Sequence, residues 1–297
     1  MTFPPSLIKS VAAALAVVAN VVLFPVSAHG STGVPALEVK SPSGGRSILL
    51  GTLHVADPNL LQPDPSVLDG FQMVVLEHPG LGALASTPGW VAALSADQIA
   101  QLRSRLQCRF PLLKAADIER GLKAYLEQPT PTAANQLAYE TCDSVGYRSR
   151  DEIVQTSAVI RHVPLRYLET DEEVGRLRLQ LPADNVKQNF DAAFSPAATL
   201  LKARVVDALN RGDFADVAAA SEESQRLAGD DPKQVHAIMV RHRNEEWMKT
   251  LPGLLENGGA FVLVGASHLP GADGLISGLR ARGFTVVPIL LPAGSGR

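Results

Sequence analysis

The first strong pattern along the chain is an apolar run from Val11 to Val26, interrupted at Asn20 and Pro25, preceded by Lys9 and closed by Val26-Ser27-Ala28. A lone positive charge, an apolar segment and a small-residue ending mark a secretory signal. Residues 1–28 therefore read as a signal peptide cleaved near Ala28. The alternative, an uncleaved anchor, needs ~20 apolar residues to span a bilayer, more than this run supplies, and no later stretch reads as a membrane span. A short polar linker, residues 29–35, follows. Ala36-Leu37-Glu38-Val39-Lys40 then alternates as a strand, Ser41–Gly45 has turn chemistry, and Ser47-Ile48-Leu49-Leu50 resumes, which predicts a hairpin. A helical turn is expected over Pro65–Gly70, and Met73-Val74-Val75-Leu76-Glu77 reads as a buried strand.

From about residue 90 to 229 the periodicity is mainly helical, with helices expected at Trp90–Leu106, Ile118–Leu126, Thr132–Cys142, Glu152–Arg161, Thr199–Asn210 and Phe214–Leu227 and one short strand at Leu165–Glu169. Over Asp231–Leu251, Val235, Ile238, Met239 and His242 fall on one helical stripe. The end of the chain repeats the layout of its beginning: strand Phe261–Val264, the sequence Gly265-Ala266-Ser267-His268, a helix over Gly274–Arg282, and strand Phe284–Ile289. Near-continuous apolar strands belong to sheets covered on both faces. The expected fold is thus α/β: a mixed, mainly parallel central sheet formed by both chain ends, covered by helices, with a helical middle region at about 90–229. One domain over 36–292 is expected, with a tail at 293–297.

Composition narrows the partners. Of 297 residues, 27 are Lys or Arg and 30 Asp or Glu, a formal charge of −3, so there is no basic excess for a nucleic-acid backbone. Removal of the signal takes away one Lys and no acid. Export, to the periplasm or the exterior, makes Cys108 and Cys142 interpretable: in an oxidising compartment they are compatible with one disulfide, or with two separate small core residues.

Chemistry concentrates at strand ends. Gly51-Thr52-Leu53-His54 and Gly265-Ala266-Ser267-His268 are GxxH sequences that each follow an apolar strand, and Glu77 ends a third. Ligands of α/β sheets collect at the carboxyl ends of strands, and a carboxylate there is costly to bury without a partner. Two imidazoles and a carboxylate suit a catalytic divalent ion; hydrogen-bonded core histidines and a salt-bridged Glu77 are the alternative. The strand ends, together with Tyr167-Leu168-Glu169-Thr170, Arg243-Asn244 and Val264–Gly271, resemble the TraB/GumN family over about Leu37–Ile289. That family is related to the Tiki metalloproteases and more distantly to erythromycin-esterase and ChaN-like proteins. The resemblance implies a metal-dependent peptidase or amidase acting on a peptide or small-molecule substrate. It assigns His54, His268 and Glu77 to a divalent metal, Mn²⁺ or Co²⁺ or else Zn²⁺, and Arg243 and Asn244 to orienting a carboxylate or the substrate. Two rivals are a non-catalytic periplasmic binding protein, for haem or another ligand, and a metal-independent esterase.

Other candidates read differently. Ser267 lacks the second flanking glycine of a nucleophile elbow, since Leu269 stands there. His78 is expected away from the site, as a supporting or surface residue, and His242 within the core stripe. Glu169 could join the site or form a structural ion pair. Asp273 reads as a helix N-cap, and Asp171-Glu172-Glu173 and Glu222-Glu223 as solvated faces.

Overall fold

The computed structural model describes residues 33–80, 89–181 and 185–296. The signal-peptide reading and the first residues of the expected linker lie outside them. Strand β1 (Gly33–Lys40) and strand β2 (Arg46–Thr52) form the antiparallel hairpin expected from the sequence, the turn closed by Ser41 N–H donating to the Gly45 carbonyl at 2.9 Å. Strand β3 (Gln62–Pro63), strand β4 (Met73–Leu76), strand β5 (Leu165–Tyr167), strand β6 (Ala260–Gly265) and strand β7 (Thr285–Gly294) complete a sheet of order β3-β7-β1-β2-β6-β4-β5. The pairs β2–β6, β6–β4 and β4–β5 are parallel and the others antiparallel. Both chain ends therefore build one mixed sheet.

β1 starts earlier than the linker reading placed it, and β7 runs past Ile289. Each stabilises the other, pairing from Gly33↔Pro292 to Lys40↔Thr285. Pro288 and Pro292 are tolerated because β7 carries only the two-residue β3 on its outer side, and a proline in a sheet fits near an edge.

Alternation along the strands feeds two cores. Leu49, Val75, Val262 and Val264 pack with Leu209, Phe214, Trp247 and Leu251, whereas Ile48, Leu50, Val74, Phe261 and Leu263 pack with Leu68 and Val154. Helices α1 (Ala96–Arg109), α2 (Ala115–Leu126), α3 (Thr132–Tyr139) and α4 (Arg150–Ile160) come from the middle of the chain. They are followed by α5 (Asp171–Arg178), α6 (Asn185–Ala193), α7 (Pro196–Arg211) and α8 (Phe214–Leu227). A third core of Trp90, Leu102, Leu106, Leu122, Leu137 and Phe190 is built by the helical middle itself. A Cys108–Cys142 disulfide ties α1 to the turn that follows α3. Among the described residues no helix is long and apolar enough to cross a membrane.

The last long helix departs from the expected stripe. It runs as α9 (Pro232–His236), a π-helical segment Ala237–Arg241, and α10 (His242–Leu255), with α11 (Leu275–Ala281) after β6. The wider π turn, a feature common at functional sites, offsets the helical phase. His242, expected in the core, is exposed, and Arg243 and Asn244 take the buried face.

Candidate functional site

Register brings the two GxxH sequences together. Thr52 of β2 lies opposite Gly265 of β6, and β4 on the other side of β6 delivers Glu77 one residue past its end. His54 leaves β2 with φ 65°, a left-handed backbone that a non-glycine residue rarely adopts. Its N–H donates to Thr52 Oγ1 at 3.1 Å, which supports this turn locally. The imidazole is 43% exposed, and its Nδ1–H donates to Asp151 Oδ1 at 3.0 Å.

Asp151 is placed by the start of α4. Ser149 and Glu152 form a reciprocal capping box, and buried Arg150 donates to the carbonyls of Gly51 at 2.6 Å and Leu61 at 2.8 Å, pinning the helix beneath the end of β2. Burial without a counter-ion in contact pushes the Arg150 pKa down to about 10. The second Asp151 oxygen accepts from Thr52 Oγ1. Nothing in the sequence set Asp151 apart, because an acid in the first turn of a helix is ordinary dipole chemistry.

Behind His54 lies a buried ionic cluster centred on Arg243. Its Nη2 donates to Glu77 Oε2 at 2.6 Å and to Glu169, its Nε donates to Glu169 at 3.0 Å, and its Nη1 donates to His268 Nε2 at 3.1 Å and to the Met239 carbonyl at 3.3 Å. The guanidinium also stacks 4.7 Å from the Trp247 ring centroid. Because His268 Nε2 accepts from a cation, its Nδ1 carries the proton and donates to Asn244 Oδ1 at 2.8 Å. Asn244 Nδ2 then donates to the carbonyls of His268 and Asp273. The remaining Glu77 oxygen accepts from the Gly265 N–H and stands 3.6 Å from His54 Nε2.

Electrostatics follow this wiring. Burial would raise the Glu77 pKa, but Arg243 and His54 hold it well below the ordinary carboxylate value. Burial likewise opposes ionisation of Asp151, yet His54 and Thr52 lower its pKa. For His54 burial acts downward, and the charges of Asp151 and Glu77 outweigh it and raise the pKa well above 6.5. His268, desolvated and facing Arg243, is pushed down to about 3 and stays neutral.

All five residues singled out in the sequence, His54, Glu77, Arg243, Asn244 and His268, thus meet in one cluster, joined by Asp151 and Glu169. A Cβ on Gly265 would lie 2.9 Å from His54 Nε2, 3.2 Å from Glu77 Oε1 and 3.4 Å from His268 Cδ2, so glycine here lets the three approach. The donor set as arranged does not fit a metal ion. The guanidinium holds His268 Nε2 and Glu77 Oε2, the Gly265 N–H holds Glu77 Oε1, and a catalytic site needs three converging protein donors. Among the described residues no three His, Cys, Asp or Glu side chains are placed to hold one.

His54 opens onto two cavities, of about 640 Å³ and about 560 Å³, the first also bordered by Glu77, Asp151 and Arg243. Ser267 borders the second, but both His268 nitrogens are engaged elsewhere, so His268 cannot activate it. Two assignments change. Asp273 does not cap α11, whose N-cap is Gly274; instead it accepts from His236 Nε2 at 2.9 Å. Asp171, read as solvated, is buried and bonds to His78 Nδ1 and the Gly80 N–H, which turns His78 away from Glu77.

No curated protein and no solved structure matches the chain. The model of the TraB/PrgY/gumN family matches residues 37–288, which includes every side chain of the cluster and the strands β2, β4 and β6 that carry it. The chain therefore belongs to the TraB/PrgY/gumN family.

Proposed function

We propose that the protein is an exported hydrolase of ester or amide bonds in which His54 activates water. The observation that carries this reading is the Asp151–His54 pair: a half-exposed imidazole on a left-handed backbone, its Nδ1 fixed at 3.0 Å by a carboxylate, its Nε2 3.6 Å from Glu77 Oε1, and the residue bordering a cavity. A base oriented by a third group is the recurring unit of hydrolytic sites. His54 Nε2 takes a proton from water as the water oxygen adds to the substrate carbonyl carbon. The same nitrogen returns that proton to the leaving oxygen or nitrogen as the tetrahedral intermediate collapses. Asp151 and Glu77 stabilise the imidazolium formed between these steps. Arg243, Asn244, Glu169 and His268 hold Glu77 in place.

A second reading, the metal-dependent peptidase or amidase that the family resemblance implies, draws support from one feature. His54 and His268 each have Nδ1 anchored, by Asp151 and Asn244, which is how metal-bound histidines are ordinarily oriented. It requires Arg243 to leave its present position.

Hydrolysis of p-nitrophenyl esters and of N-acetylated peptide amides by the purified protein, with chelator and with added Mn²⁺, separates the two. Under the first reading turnover survives the chelator and is lost in His54→Ala; turnover that appears only with Mn²⁺ supports the second. No turnover under either condition refutes both.

A further inference from the structure

We propose that Arg178 anchors a carboxylate of the substrate, so that the cleft selects short peptides or N-acyl amino acids with a free carboxylate. This deepens the hydrolase reading above and rests on it. Arg178 lies in the last turn of α5 and borders the same 640 Å³ cavity as His54, Glu77 and Asp151. A guanidinium offers five N–H donors, and among the described residues that of Arg178 makes one hydrogen bond, from Nη1 to Thr132 Oγ1 at 3.0 Å.

The carboxylates whose charge Arg178 feels are committed elsewhere: Glu77 and Glu169 to Arg243, and Asp171 to His78 and the Gly80 N–H. Desolvation accordingly lowers its pKa. Of the other arginines near the site, Arg150 is spent on two backbone carbonyls, Arg109 is paired with Glu140, and Arg243 fills the ionic cluster. Arg105 also borders this cavity, from α1 on the wall built by the helical middle, whereas Arg178 feels the charges of Glu77 and Glu169 beside His54. Arg178 is thus a half-buried cation, oriented by a threonine hydroxyl, in the wall of a substrate-sized cavity. A planar carboxylate is the partner a guanidinium fork accepts bidentately.

The test compares N-acetyl-Ala-Ala and N-acetyl-Ala-Ala-amide, which differ in the carboxylate alone. The ratio of their kcat/KM values, and separately of their Kd values by calorimetry, is read for the wild type, Arg178→Gln and Arg178→Lys. The expected wild-type ratio favours the carboxylate about tenfold or more, the scale of a hydrogen bond to a charged group. It falls toward one in Arg178→Gln and recovers in part in Arg178→Lys. A wild-type binding ratio near one overturns the proposal whatever the variants do, and so does an undiminished ratio in Arg178→Gln. If the protein hydrolyses neither peptide yet its binding ratio follows Arg178, the carboxylate anchor stands and the hydrolase reading fails.

Discussion

Replacing Arg243 by methionine keeps a stem of similar length and removes the cation that two carboxylates share. Glu77 and Glu169 are 9% and 7% exposed beside an Arg243 at 7%, so water cannot take over the lost contacts. Breaking a buried pair costs ~3–5 kcal/mol, and with two carboxylates stranded the loss belongs at the upper end. In the intact protein the Glu77 pKa is depressed, so its ionisation contributes stability that is present above the unfolded pKa of ~4.3 and lost as pH falls through the folded value. In the variant only His54 and His268 are left to oppose burial, so the folded pKa rises toward the unfolded value and this contribution shrinks. The gap between the two proteins should therefore widen as pH rises from about pH 3 to about pH 5. At ~2–4 °C per kcal/mol, a loss of ~5 kcal/mol lowers the melting temperature by roughly 10–20 °C at neutral pH. Urea unfolding at about pH 3 and about pH 7, followed by tryptophan fluorescence, reads the effect, since Trp247 lies against Arg243. A loss below ~1 kcal/mol, or an equal loss at both pH values, would refute the electrostatic reasoning and assign the role of Arg243 to packing on Trp247.

Gly265→Ala acts through its Cβ alone, because φ −52° and ψ 130° suit any residue. The methyl, 2.9 Å from His54 Nε2, should displace the imidazole and lower kcat/KM about 100-fold for a stability cost of ~1–3 kcal/mol; unchanged kinetics contradict the placement of His54. Asp151→Asn should lower kcat by ~10²–10⁴ by releasing the His54 tautomer, measured on whichever ester the wild type turns over. The raised His54 pKa means that the free base is populated only above it, so the acid limb of the kcat/KM profile should lie above pH 6.5 and move down in Asp151→Asn. A limb at or below pH 6.5 in the wild type contradicts the coupling to Asp151 and Glu77. Reduction of Cys108–Cys142 reopens a 34-residue separation and should cost ~3–4 kcal/mol, seen as a lower melting temperature in dithiothreitol.

The strands were legible because their apolar residues are nearly continuous, and the motifs at their ends could be paired once the two chain ends were read as one sheet. His54, Glu77 and His268 needed only strand position, since β2, β6 and β4 are neighbours. Other features depend on tertiary detail that periodicity does not carry. The π segment at Ala237–Arg241 adds a residue to one turn, and a regular helical projection then puts His242 where Arg243 belongs. Asp151 and Asp171 look like helix-start acids, and only the packing of α4 and α5 against the strand ends turns them onto His54 and His78. The extension of β1 and β7 was hidden by prolines that an edge position tolerates.

The central claim is that His54, held by Asp151, performs the chemistry. It is tested most directly by steady-state hydrolysis of an activated ester in excess chelator, comparing wild type with His54→Ala. The account predicts turnover that the chelator leaves intact and that falls by at least ~100-fold in the variant. Turnover abolished by the chelator and restored by Mn²⁺, or undiminished in His54→Ala, would contradict it.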